Sequence, residues 1–269
     1  MKEKILTILK TADGYVSGER ISQTLNVSRA AVWKHIKKLR EEGYEIDSVT
    51  NKGYRLISAP DILTRDEIAS QLETKKIGRN LHYFYQIDST NNEAKRAWES
   101  VDGSVFIAEI QTGGKGRLGR GWSSPAGTGI WMSILLKPDI KPWDASKITQ
   151  AAGLAVCRAL KPYGARIKWP NDIIIGTKKV CGILTEMSAE TDMVDYIVCG
   201  IGINVNNESF DDEISERATS IYIESGKKHS RAEIVCGVLK EFENLYEEFL
   251  ESGIKNMLDE YTSLCVNIN

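Results

Sequence analysis

The sequence predicts an α+β chain of two unequal domains, a small winged helix-turn-helix followed by a larger unit rich in both strands and helices. Three observations point there. At 269 residues the chain exceeds one average domain. Cap residues and helical periodicity over the first 58 residues give way to a short hairpin. Charge is also split, with net +4 over residues 1–58 and net −6 over the remainder, although the whole chain carries only −2.

In the first unit, Lys2 to Thr11 places Ile5, Leu6, Ile8 and Leu9 at helical spacing. Ser17 is positioned to cap a second helix reaching Leu25, and Ser28 a third that runs to Glu42 and stops at Gly43. Along the third, Val32, Ile36 and Leu39 form an apolar stripe, leaving Arg29, Trp33, Lys37 and Arg40 elsewhere on the surface. Tyr44 to Val49 and Tyr54 to Ile57 flank a turn at Asn51-Lys52-Gly53 and read as two strands. Three helices and a hairpin make a winged helix-turn-helix. Its third helix would enter the major groove of DNA through Ser28, Arg29, Trp33, Lys34 and Lys37, with Lys52 of the wing on the backbone or minor groove. A solvated charged face serving protein contacts is the competing reading. Ser58-Ala59-Pro60-Asp61 marks the expected boundary, giving domains at 1–58 and 62–262 and a terminal piece at 263–269.

The second unit opens with a helix expected over Ile62 to Leu72, where Thr64 and Glu67 have capping-box spacing. A strand at Leu81 to Tyr85 leads to a second box, Thr90 to Glu93, so Ser89, Thr90 and Asn91 fall at a strand-to-helix corner. Free backbone amides at such a corner can face a ligand, although most corners are only capped helix ends. Further strands are expected at Ile130 to Leu136, Ile173 to Ile175, Lys179 to Glu186 and Val194 to Val205, with a helix from Asp144 to Leu160.

Two segments carry chemistry. Gly113 to Gly121 holds five glycines and three cations, a composition that lets backbone amides and charge close on a phosphate or carboxylate. Its formal G-x-G-x-x-G, Gly114 to Gly119, is not a dinucleotide fingerprint, because Trp122-Ser123-Ser124-Pro125 cannot open the helix that motif needs. Lys168-Trp169-Pro170-Asn171-Asp172 brings a cation, an amide and a carboxylate into one stiff turn, enough for phosphate and Mg2+. Taken singly, each is also compatible with an ordinary surface loop or turn.

Composition removes several classes. Five cysteines without C-x-x-C spacing suggest neither a disulfide framework nor a zinc ribbon, and buried thiols are expected. Three dispersed histidines nominate no metal triad or His-centred nucleophile. With 42% hydrophobic and 27% charged residues and no apolar run near membrane-span length, a cytoplasmic globular protein without a membrane partner is expected.

In chain order, Ser89-Thr90-Asn91, the segment from Gln111 to Arg120, Lys168 to Asp172, Lys179 with Gly182 to Glu186, and Gly200-Ile201-Gly202-Ile203-Asn204-Val205 resemble the motifs of the biotin-protein ligases. With the basic winged helix in front, the chain is similar to their bifunctional class, the biotin operon repressors. That resemblance implies a mixed-sheet catalytic domain akin to the class II aminoacyl-tRNA synthetases. It implies ATP-dependent formation of biotinyl-5'-AMP, biotin transfer to a lysine of a biotin carboxyl carrier protein, and a homodimer that binds operator DNA when the adenylate is present. Biotin and ATP would be substrates, assisted by Mg2+, with no resident prosthetic group.

By the same resemblance, Ser89, Thr90, Asn91 and Gln111 would line the pocket for the ureido ring, and Lys115, Gly116 and Arg117 would cover the valerate carboxylate and phosphates. Lys179 would bind the carboxylate and α-phosphate, making Lys179, Lys115 and Arg117 the catalytic cations. Arg120, Trp122, Asn171, Asp172 and Asn204 would contact ATP or the adenylate, with Trp122 stacked on adenine and Asp172 near Mg2+. Lys115 stands where arginine is common, which removes a planar fork. The family's small C-terminal β-barrel is expected to be largely missing, with Leu264 to Asn269 as its first strand. The competing functions are a ligand-sensing repressor without catalysis and a lipoate or octanoate ligase.

Overall fold

The computed structural model describes residues 1–267 and divides into two compact units, residues 1–71 and the described residues from 72 onward. In the first, α1 (Lys2–Thr11), α2 (Gly18–Leu25) and α3 (Arg29–Glu41) are followed by β1 (Glu45–Val49), β2 (Gly53–Ser58) and the short α4 (Arg65–Ala69). The two serines cap as expected: Ser17 Oγ accepts from Arg20 N at 3.1 Å and Ser28 Oγ from Ala31 N at 3.2 Å. Ile5, Leu6, Leu9, Ile21, Val32, Ile36 and Leu39 form the core. The wing is an antiparallel hairpin bent at Asn51 and Gly53, both with positive φ. Gly53 is required there, since a Cβ would lie 2.1 Å from Val16 O.

The first unit runs past the expected break at residues 58–61. Glu67 of α4 is buried beneath Lys10 and Tyr44, receiving the Lys10 ammonium and the Tyr44 hydroxyl. That use explains why the Thr64 capping box does not form and why the expected helix from Ile62 to Leu72 shrinks to one turn and a half. A carboxylate saturated by tertiary partners cannot fold back on its own helix start.

The second unit comprises β3 (Leu81–Ile87), α5 (Thr90–Arg96), β4 (Ser104–Gln111), β5 (Gly129–Leu136), α6 (Ala145–Ala159), β6 (Arg166–Lys168), β7 (Asp172–Ile175), β8 (Lys178–Glu190) and β9 (Met193–Asn204). Helices α7 (Asp212–Ser215), α8 (Ile221–Ser225), α9 (Arg231–Ser252) and α10 (Lys255–Leu264) complete it. The seven strands form one sheet in the order β3-β4-β5-β9-β8-β7-β6; only β3 and β4 are parallel, so the sheet is mixed. Strand alternation turns Trp131, Ser133, Gly182, Gly200 and Gly202 to the face covered by α5. Ile183 and Thr185 face α6, where Thr149 Oγ1 donates to Thr185 Oγ1 at 2.7 Å.

Two buried ionic devices tie α9 to the rest of the second unit, one through the segment before β3 and one through β4. Glu243 of α9 accepts from the amides of Lys75, Lys76 and Ile77 at 2.7, 2.7 and 2.8 Å. Arg231 pairs with Glu109 of β4 at 2.8 Å and donates to Gly129 O at 3.1 Å. All five cysteines are free and buried. At the end of the described chain, Ser263 and Leu264 are helical, and Cys265 makes a single parallel bridge to Ile167. A strand from Leu264 is therefore not formed, because α10 claims its first residue; Ile268 and Asn269 lie outside the described residues.

Candidate active site

The corner after β3 is built from side chains that look inward. Ser89, Thr90 and Asn91 are all buried. The Thr90 box with Glu93 is absent, because Thr90 has other partners: its amide and hydroxyl meet Gln111 Oε1 at 2.8 and 3.1 Å, and Ser133 Oγ lies 2.7 Å from its hydroxyl. Gln111 Nε2 in turn donates to Ser124 Oγ at 2.9 Å. Asn91 is held by Ser133 at 2.6 Å and by Glu186 at 2.8 Å. These buried side chains satisfy one another in a continuous network across α5, β4, β5 and β8, as a low-dielectric pocket requires, whereas the buried Trp122 Nε1 has no hydrogen-bond partner among the described residues.

The floor beneath them is bare. Gly182 and Gly202 pair across β8 and β9, and Gly200 follows on the same face. Each is bare for a steric reason: a Cβ at Gly200 would come 2.1 Å from Asn91 Oδ1, and one at Gly202 would come 2.7 Å from Trp122 Nε1. At Gly182 it would meet Lys179 and Trp122, each at 3.0 Å.

The glycine-rich segment folds back on itself. Gly116 N donates to Arg120 O at 2.7 Å and Trp122 N to Gly114 O at 2.9 Å, while Leu118 and Gly119 take positive φ at the tip. Its cations point three ways. Lys115 Nζ donates to Asn92 Oδ1 at 2.8 Å, Arg117 Nη1 to Asn171 Oδ1 at 3.0 Å, and Arg120 faces the open cleft. Asn171 Nδ2 is anchored on Ile183 O at 2.9 Å, so the turn between β6 and β7 hands its amide oxygen to Arg117.

Lys179 is fixed by its backbone, which exchanges hydrogen bonds with Arg217 and Thr219 at 2.8 and 2.9 Å. Its ammonium sits 2.7 Å from Asp172 and 5.1 Å from the centre of the Trp122 ring. Trp122 lies edge-on to Trp131 at 6.4 Å and above the paired glycines. Two cavities meet at this point. One, with about 50 Å³ free, is lined by Ser89, Thr90, Asn91, Gln111, Trp131 and the glycine floor. The other, about 900 Å³, is bounded by Arg120, Ser123, Lys168, Asp172, Asn204 and Asn207. Gly116, Arg117, Trp122, Asn171 and Lys179 border both.

Each residue of the second unit given a role from sequence therefore borders one of these cavities. Sequence reasoning assigned no role to Ser133, Ser124, Trp131, Asn92 and Asn207, nor to Glu186, although Glu186 closes the Gly182–Glu186 motif. A serine inside the apolar run of β5 was the one available signal for Ser133. In the first unit, Ser28, Arg29, Trp33, Lys34 and Lys37 are exposed on α3, and Lys52 is exposed on the wing. Lys37 lies 5.9 Å from the Trp33 ring centre, and Lys52 5.9 Å from that of Tyr15. No helix among the described residues is long and apolar enough to cross a membrane.

Comparison with known proteins agrees with both units. Residues 83–204 match the biotin/lipoate A/B protein ligase family, and residues 2–55 match a helix-turn-helix domain. The bifunctional ligase/repressor BirA of Bacillus spizizenii is 42% identical over 259 residues, covering 94% of this chain and 80% of that protein. The Escherichia coli protein of the same name is 31% identical over 270 residues, covering 99% and 83%. The biotin protein ligase of Aquifex aeolicus, solved with biotin and ATP, superposes with a TM-score of 0.63 at 34% identity, covering 71% of this chain and 80% of that one. A helix-turn-helix domain followed by a ligase domain is thus matched in order, and nearly the whole chain aligns with the two BirA proteins, so the chain belongs to the bifunctional ligase/repressor family.

Proposed function

We propose that this chain is an ATP-dependent biotin-protein ligase that also represses transcription of biotin genes. The observation that carries the reading is the junction of the two cavities, where Arg117 and Lys179 border both. An acid in the narrow pocket and a nucleotide in the open cleft would meet there as two anions. Their mutual repulsion is the main barrier, and fixed cations at the meeting point lower it most where charge accumulates.

The biotin carboxylate oxygen attacks the α-phosphorus of ATP, the bond from that phosphorus to the bridging oxygen breaks, and pyrophosphate leaves. The ε-amine of a carrier-protein lysine then attacks the mixed anhydride, AMP departs and the amine loses a proton to form the amide. Ser89, Thr90, Asn91 and Gln111 hold the ureido ring; Lys115, Gly116 and Arg117 close over the carboxylate and phosphates; Lys179 bridges carboxylate and α-phosphate. Arg120, Trp122, Asn171, Asp172 and Asn204 serve the nucleotide. Among the described residues no three His, Cys, Asp or Glu side chains converge. Asp172 beside Lys179, with no cluster of further ligands around it among the described residues, suits Mg2+ held mainly by the phosphates it arrives with.

About 50 Å³ is room for a few waters, so the acid enters only if the 113–121 segment and Trp122 yield. Leu184 and Glu186 of β8 border the same space as this segment. Beyond Ile183, whose amide and carbonyl are both engaged by Asn171, β8 pairs with no strand on its β7 side among the described residues. A loop ordered by the adenylate beside an open strand edge supports a homodimer formed when biotinyl-AMP is bound, whose two α3 helices read a two-fold operator.

The test is incubation with ATP, Mg2+ and either biotin or lipoate, followed by mass spectrometry. Biotinyl-AMP is expected. Lipoyl-AMP alone would make this a lipoate ligase, and no adenylate would leave a sensor without catalysis.

A further inference from the structure

Glu186 projects from β8 toward the narrow pocket without bordering it directly. One carboxylate oxygen lies 2.8 Å from Asn91 Nδ2 and the other 2.5 Å from Lys95 Nζ. Burial opposes its ionisation, but the Lys95 ammonium and the Asn91 amide prevail and hold the carboxyl below its ordinary range. It is an anion at neutral pH and can only accept hydrogen bonds.

That constraint propagates. Asn91 must turn its nitrogen to Glu186, which leaves its oxygen facing Ser133 Oγ at 2.6 Å. An amide oxygen only accepts, so the wholly buried Ser133 must donate to it. Ser133 then has only a lone pair left for the Thr90 hydroxyl at 2.7 Å, and the single Thr90 proton is shared between that lone pair and Gln111 Oε1 at 3.1 Å. If the Asn91 amide were reversed, its nitrogen would face Ser133 and the hydroxyl protons beyond would turn round. The pocket therefore has two proton arrangements of opposite polarity, and a carboxylate at one end permits one of them.

We infer that Glu186 is a positioning residue for substrate recognition: by fixing the Asn91 amide it sets the donor and acceptor pattern that the acid pocket presents to a cyclic urea. This deepens the biotin reading and rests on it. A urea ring has two N–H donors and one carbonyl acceptor in fixed places, so it matches a single arrangement of the lining.

Glu186→Gln is close to isosteric and can offer Asn91 either a donor or an acceptor. The readout is adenylate formation by the full chain with biotin and with its carbamate analogue, in which oxygen replaces one ring N–H. The expected result is a rise of about tenfold in KM for biotin and an equal narrowing of the preference for biotin over the carbamate. KM for ATP, kcat and the melting temperature should stay near those of the parent chain. In an Asn91→Ala background, Glu186→Gln should have no further effect on KM for biotin, since Glu186 acts through Asn91. Unchanged biotin KM and selectivity, a parallel rise in KM for both substrates, or a full Glu186→Gln effect in the Asn91→Ala background would overturn the inference. Failure of the parent chain itself to form biotinyl-AMP would overturn the function as well, which separates the two.

Discussion

The Lys179 ammonium lies 2.7 Å from the Asp172 carboxylate, with both side chains about one third exposed at the mouth of the two cavities. In the free protein Asp172 supplies the counter-charge that two substrate anions would take over. Lys179→Ala should lower adenylate formation about 10²- to 10³-fold while leaving the melting temperature nearly unchanged. Pyrophosphate release measured alongside thermal unfolding checks both halves; near-parental release would remove Lys179 from the chemistry.

Gly200→Ala places a methyl where Asn91 Oδ1 now sits, at 2.1 Å. Displacing Asn91 should weaken binding of the acid by about tenfold or more, the equivalent of at least ~1.4 kcal/mol. Calorimetric titration with biotin and, separately, with ATP should show the loss for biotin alone.

On α3, cations and the exposed Trp33 should separate by salt dependence. Replacing Arg29, Lys34 or Lys37 by alanine should reduce the slope of log K against log salt by about 1 for each phosphate that is no longer neutralised, on random and specific duplexes alike. Trp33→Ala should leave the slope intact and lower the preference for the specific sequence. Fluorescence anisotropy over a range of salt concentrations reads both.

Leu63 and Ile68 are fully buried, and the nearly buried Glu67 is bound by Lys10 and Tyr44 of the same unit. A fragment of residues 1–71 should therefore unfold cooperatively at a higher temperature than one of residues 1–61. Losing two buried aliphatic side chains is worth about 3 kcal/mol, or roughly 10 °C or more in a domain this small. Circular dichroism on the two fragments tests where the first domain ends.

Glu243 is 6% exposed and accepts three backbone amides. Burial works against its charge, yet the amides of Lys75, Ile77 and Lys76 hold the carboxyl below its ordinary range. A depressed folded-state value means its stabilisation is complete above the unfolded value of about 4.3 and disappears as pH falls through the lower folded one. Glu243→Gln should cost about 2 kcal/mol at pH 7 and progressively less as the pH is lowered below about 4, measured by urea unfolding.

What was legible in the sequence was local. Ser17 and Ser28 cap their helices because a cap depends on residues three apart and on little else. Thr64 and Thr90 have equally good spacing, yet Glu67 and Thr90 are claimed by Tyr44, Gln111 and Ser133, partners that only the fold supplies. The glycines at 182, 200 and 202 stand out as motif residues, but their reason is the β8–β9 register that sets 182 against 202. Residues 206–262 carry the clearest unread signal: Val235, Leu239, Phe242, Tyr246 and Phe249 recur at helical spacing and are buried on α9. Their docking partners lie far away in the chain, as Glu243 and Lys75 illustrate.

The indole of Trp122 rests on bare backbone at Gly182 and Gly202, beside the Lys179 charge, and borders both cavities. Whichever ligand arrives first must alter the polarity and hydration around that ring. The protein thus carries an intrinsic optical gauge of occupancy, one whose emission would follow filling of either chamber in real time without any attached dye.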